Sequence, residues 1–243
     1  MFAIFQKELR QFFSSLIGYI AICVFLLLVG FMVWFSPEAN ILDAGYASLD
    51  YFFYIAPFIL MMLIPAITMR SFSEEMQSGT IELLATRPLT DTAIIMGKFL
   101  AALTLVLCAI APTLIYFYSI SHLAYPVGNV DSGGTWGSYF GLVFLSAVFV
   151  SISLFASSIT RSQIVAFILG AFICFIFFYA IEGLARLGVF YGKSDYIVEQ
   201  FGLYAHYESM GRGILDTRDV VYFLSVITLF TFFTRTSLAS RKW

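Results

Sequence analysis

Residues 16–35 read LIGYIAICVFLLLVGFMVWF, twenty consecutive residues without a charge. A helix rises 1.5 Å per residue, so this run is about 30 Å long, the thickness of a bilayer's hydrocarbon core. Five more charge-free runs follow, at residues 52–69, 99–120, 138–159, 164–181 and 220–234. The first four of these reach spanning length. The last is about 22 Å long and spans only if Tyr222 and the flanking charges sit among headgroups. The expectation is an all-α polytopic membrane protein with six transmembrane helices, residues 1–243 forming a single transmembrane domain.

Composition agrees. Of 243 residues 60% are hydrophobic, 19% aromatic and only 12% charged, with mean hydropathy +0.91. A soluble domain carries roughly 25% charged residues, so this chain cannot surround itself with water. Net charge is −2 and no basic run occurs, which argues against a nucleic-acid partner. The three cysteines, Cys23, Cys108 and Cys174, lie inside apolar runs, as small packing residues rather than a disulfide framework. Lys7 and Arg10 precede the first run as in a signal peptide. The run is longer than a signal core and no A-x-A site follows, so it reads as a retained helix.

Six spans put both termini on one side. That side receives Lys7, Arg10, Arg70, Arg87, Lys98, Arg161, Arg235, Arg241 and Lys242, while residues 36–51 and 121–137 hold no Lys or Arg. The positive-inside bias places both termini in the cytoplasm. Before the first span, Phe2, Phe5, Leu9, Phe12 and Leu16 recur at helical spacing, with Gln6, Lys7, Arg10 and Gln11 opposite. Residues 1–15 are therefore expected to lie as an amphipathic helix in the membrane interface, against lipid.

As drawn, the spans contain no Asp, Glu, Lys, Arg or His, which argues against a proton-coupled antiporter and a di-acidic intramembrane protease. His122 and His206 read as plain histidines of external loops. Serines 146, 151, 153, 157 and 158 recur along the fourth span, with no histidine at hand to activate one, and read as small residues for close helix packing. The nearest approach to a phosphate-binding loop ends at Gly192, Lys193 and Ser194, but Leu187 stands where its first glycine belongs. ATP is not expected to bind this chain through that motif, nor does any other cofactor or metal site stand out.

The most informative loop is residues 70–98, RSFSEEMQSGTIELLATRPLTDTAIIMGK. The second span continues as helix past the membrane surface, with Arg70 and Glu74 placed to pair. Gly79 ends that helix in the left-handed conformation, Thr80 caps a short helix over residues 81–86, and Pro88 stops it. Thr90 or Asp91 caps the third span. A crossbar tied to two spans can transmit a push from a cytoplasmic partner, or merely pack against its own helices; the residues leave both open.

The pattern Arg70, Phe72, Glu75, Gly79, Thr80, Glu82, Leu84, Pro88, Gly97, Lys98 resembles the ABC-2 family of ABC transporter permeases. So does the N-terminal KELRxFFSSLxxYI of residues 7–20, with Lys7, Glu8, Leu9, Arg10 and Phe12. Residues 201–222, FGLYAHYESMGRGILDTRDVVY, resemble the external segment before that family's sixth span. Within the family the chain is most similar to the small permease subunit of bacterial gliding-motility ABC transporters. Permeases of copper-site maturation and sodium efflux are also similar.

This resemblance implies a permease subunit without enzymatic activity in a bacterial inner membrane. It would work with two ABC ATPase subunits, which bind ATP and magnesium, and with a second permease that is either the same chain or a larger one. It implies that Glu75, Gly79, Thr80, Ile81, Glu82, Leu83 and Leu84 seat on the ATPase as a coupling element. It implies also that the external segment, residues 182–219, forms short helices that partly re-enter the membrane and close the outer end through Phe201, Leu203, Tyr204 and Tyr207. Export is favoured by resemblance alone. Two other functions stay compatible with the residues: a non-transporting scaffold or mechanical coupler of a motility complex, and an independent channel.

Overall fold

The computed structural model describes residues 1–36, 41, 45–80, 90–186, 199–214 and 216–240, and among them there is no strand. Six helices are long and apolar enough to cross a membrane: Leu16–Phe35, Asp50–Gln77, Asp91–Leu123, Ser132–Ile159, Gln163–Ala185 and Thr217–Ser240. A helix makes nearly all its backbone hydrogen bonds within itself, the condition for lying in hydrocarbon. The chain is a multi-pass all-α membrane protein.

Helix α1 (Phe2–Ser14) turns sharply at extended Ser15 into α2 (Leu16–Phe35). The second crossing helix is α3 (Asp50–Thr68) continued by α4 (Arg70–Gln77). The third is α5 (Asp91–Ile110), then a 3-10 turn at Ala111–Thr113 around Pro112, then α6 (Leu114–Leu123). The fourth is α7 (Ser132–Ile159); the fifth joins α8 (Gln163–Phe175) to α9 (Ile181–Arg186). A short helix α10 (Leu203–Gly211) precedes the sixth, α11 (Thr217–Ser240).

Several boundaries lie outside the apolar runs, and two of these differences matter. The third crossing helix starts eight residues earlier than expected, so Lys98 lies inside it rather than at its mouth. The sixth is not short: its 24 residues run past Arg235 to Ser240, about 36 Å. Charged residues end an apolar run in the sequence but do not end a helix.

Helix α7 is the axis of the bundle. It is 78% buried along its apolar length, against 28% for α2 and 22% for α11, and it packs on α3, α8, α10 and α11. Its serines and glycines let neighbours come close. Gly137 is required: a Cβ there would lie 2.2 Å from the Met210 carbonyl of α10. Phe52, Phe149, Phe178 and Phe223 fill the space between helices. The apolar faces of α2, α8 and α11 point outward, as lipid requires.

Candidate functional site

At the end of the bundle carrying both termini, α1 crosses α5. Gly97 permits this: a Cβ there would meet Ile4 Cβ at 2.9 Å and the Met1 carbonyl at 3.2 Å. The next residue, Lys98, is 2% exposed. Its ammonium donates to Glu8 Oε1 of α1 (2.9 Å), Glu75 Oε1 of α4 (2.9 Å) and the Ser71 carbonyl (2.7 Å), with the Phe72 ring centroid 5.1 Å away. An ammonium has three protons, and all three are used.

A charge this deep is costly unless paired and hydrogen-bonded, and Lys98 is both. Two carboxylates against one ammonium leave an excess negative charge. Lys7 Nζ, half-exposed, offsets it from 3.6 Å to the Oε1 atoms of both Glu8 and Glu75. Glu75 Oε2 is buried without a hydrogen-bond partner among the described residues. A cavity of about 690 Å³ opens beside this cluster, between Lys7, Gln11 and Ser15 on one side and Arg70, Glu74 and Ser78 on the other.

The α3–α4 junction is held by α7. Ser157 Oγ accepts from the backbone N–H of Phe72 (3.0 Å) and Ser73 (3.2 Å) and donates to the Met69 carbonyl (2.9 Å). So one of the fourth-span serines, read as mere packing, orients the exit of the second span. Arg70 Nε meets Glu74 at 3.2 Å as the i,i+4 spacing implied. Gly79 has φ +71°, and the left-handed ending of α4 is present as expected. The Thr80 hydroxyl turns back, 2.8 Å from Ser78 Oγ and 3.4 Å from the Glu75 carbonyl. The short helix expected over residues 81–86, with Ile81, Glu82, Leu83 and Leu84, lies outside the described residues. Thr90 caps α5, accepting from Ala93 N–H at 3.3 Å.

The N-terminal residues divide differently from the expected two faces. Phe2 and Leu16 are exposed and Phe5, Leu9 and Phe12 half-buried, while Lys7 and Arg10 face outward. The innermost positions are Ile4 and Glu8, directed at α5. Helix α1 therefore packs on the bundle as well as presenting apolar residues outward.

At the opposite end, α10 carries Leu203, Tyr204 and Tyr207. Leu203 and Tyr207 are buried, Tyr204 packs edge-on to Phe178 at 5.5 Å, and Phe201 is exposed. Tyr207 Oη donates to the Phe53 carbonyl at 2.9 Å. That carbonyl would ordinarily accept from residue 57, but Pro57 has no N–H. A tyrosine of α10 thus fills the gap a proline opens in α3. Burial holds the Tyr207 hydroxyl well above its ordinary range.

His206 is not a loop histidine, as the sequence suggested. It sits in α10, 7% exposed, with Nδ1 2.7 Å from Asp219 Oδ1 and Nε2 3.0 Å from the Gln200 carbonyl. Each ring nitrogen thus has one oxygen within hydrogen-bond distance. Tyr222 stacks on the ring at 3.9 Å. The pair fastens α10 to the first turn of α11. Asp219 had seemed a boundary charge because its partner lies thirteen positions earlier, outside any helical spacing.

Sequence reasoning also missed the role of Lys98. A signal existed: Ile94, Ile95 and Met96 precede it and Phe99 follows, so the lysine interrupts an apolar run rather than bordering one. Among the described residues no three His, Cys, Asp or Glu side chains converge as metal ligands would.

A family model described as ABC-2 family transporter protein matches residues 2–242. No curated protein matches the chain.

Proposed function

The chain belongs to the ABC-2 family of transporter proteins, and on that premise we propose that it is the permease subunit of an ATP-driven exporter. Family membership implies an ABC ATPase partner; in this reading two copies supply all ATP and magnesium chemistry, and this chain has no enzymatic activity. A second permease, this chain or a larger one, completes the pathway. Both termini face the cytoplasm of a bacterial inner membrane, in keeping with the basic residues at that end. Association with gliding motility rests on the sequence resemblance alone.

The observation that carries the mechanism is the Lys98 cluster. It ties α1 to α4, which ends at Gly79, and to α5, which Thr90 caps. We assign Gly79, Thr80, Ile81, Glu82, Leu83 and Leu84 to contact with the ATPase; Glu75, expected from the sequence to join them, turns its carboxylate inward to Lys98 and relays that contact instead of making it. A push on that segment moves α4. Through Glu75 and Lys98 it moves α5, and through Glu8 it moves α1. The same helix continues about 33 Å from Glu75 to Phe53, where Tyr207 is attached. Closure of the ATPase pair therefore reaches the short outer helix along one continuous element, which suits α10 to a gate at the outer end.

The test is purification from the native membrane in mild detergent, with co-purifying chains identified. An ATP-hydrolysing subunit in stoichiometric amount is expected. Glu82→Lys should insert normally yet lose the ATPase or its stimulation. Full coupling in that variant, or no ATPase chain under conditions that preserve known ABC complexes, rejects the permease assignment in favour of a scaffold or channel.

A further inference from the structure

Between α5, α7 and α11 lies an apolar groove of about 590 Å³. Phe99 and Leu103 form one wall, Phe144 and Ala147 the floor, and Leu224 and Thr228 the other wall. All three helices belong to membrane-crossing segments, so the groove opens toward lipid. Its polar side chains are already used. Thr228 donates to the Leu224 carbonyl and Thr231 to the Ile227 carbonyl of their own helix. Water has nothing to hold it there, and an apolar groove facing hydrocarbon takes an apolar occupant.

One end is different. Arg235 lines the groove at the end that carries the termini, beside Thr92. It is exposed and forms no ion pair among the described residues, and no carboxylate lines the groove. From Arg235 to Leu224 is eleven residues of α11, about 16 Å, half the roughly 30 Å of a hydrocarbon core. The groove is thus about as long as one leaflet is thick, with a cation at its terminal end. An apolar groove with a single unpaired cation at one end matches an acyl chain that carries an anionic headgroup.

We propose that this groove is a binding site for one phospholipid of the leaflet on the terminal side, its acyl chain between α5, α7 and α11 and its phosphate on Arg235. The guanidinium meets phosphate oxygens with two parallel N–H groups, a geometry that favours retention over exchange with bulk lipid. Lipid seated there packs on α5, the helix that carries Lys98. The site depends on the membrane-spanning fold and not on the transporter reading.

The full chain, with any subunits that remain attached, is extracted in mild detergent and its retained phospholipid counted by native mass spectrometry during titration with phosphatidylglycerol. About one tightly held molecule per chain is expected. Arg235→Gln should weaken it by about ten-fold or more, as loss of a charge-assisted hydrogen bond does. Thr228→Trp, which fills the groove from an exposed position, should abolish it. Equal retention in either variant overturns the proposal, as does equal retention of phosphate-free diacylglycerol. A measurement without any substitution uses phosphatidylglycerol carrying a photoreactive diazirine in its acyl chain. Labelling should concentrate on Leu103, Phe144 and Leu224. Labelling spread evenly over α2 and α8, or crosslinks between two copies through α11, overturns it.

Discussion

Replacing Lys98 with methionine probes the cluster most directly. Methionine fills nearly the same volume and removes only the ammonium. Glu8 Oε1 and Glu75 Oε1, each 2.9 Å from Nζ, then face each other across a buried gap, and the Ser71 carbonyl loses its donor. Removing one partner of a buried ion pair costs about 3–5 kcal/mol. For a chain of this size each kcal/mol lowers Tm by about 2–4 °C, so the drop should be about 6–20 °C. The assay is thermal unfolding of the purified full chain in one detergent, followed by intrinsic fluorescence. Adding Glu8→Gln and Glu75→Gln to Lys98→Met removes the facing charges and should restore more than half of the loss. Lys98→Arg should not rescue, because a planar fork cannot place its donors on three acceptors arranged around a point. A drop under about 2 °C for Lys98→Met, or a triple variant less stable than the single one, would refute the claim that the lysine holds these elements together.

Tyr207→Phe leaves the Phe53 carbonyl buried without a donor and should cost about 1–3 kcal/mol in denaturation; with Pro57→Ala, which restores the helical N–H, the same change should cost less than half as much. Gly97→Ala ordinarily favours a helix, but its Cβ would meet Ile4 Cβ at 2.9 Å. A net loss of about 1–3 kcal/mol and faster proteolysis of α1 are expected, and stabilisation would contradict the close crossing. Alkaline stability should also depend on Tyr207. The folded hydroxyl titrates well above 10.0 and the unfolded one near it, so above that pH the unfolded chain loses the proton first and stability falls. Tyr207→Phe should flatten that decline in a pH series of melting curves.

Much of the architecture is legible along the chain for a simple reason. A membrane-crossing helix makes its hydrogen bonds within itself, so apolar length is enough to find it. Short-range chemistry is legible too. The left-handed turn at Gly79, the Arg70–Glu74 pair and the Thr90 cap each involve residues within four positions. The sixth crossing helix was found but drawn too short, because a charge such as Arg235 stops an apolar run without stopping the backbone pattern.

The candidate site was half visible. Glu8, Glu75, Gly79 and Thr80 could be singled out, but what joins the first two could not. Lys98 reaches across 90 positions to Glu8 and 23 to Glu75. Ser157 answers backbone groups 84 and 85 positions away, and Tyr207 answers a carbonyl 154 positions away. None of these spacings follows a helical period. They arise when α7 gathers its neighbours and α1 folds back on α5. Apolar length says which segments enter the bilayer; which buried polar group meets which is a property of the packed helices, since each such group is tolerated only where another element completes its hydrogen bonds.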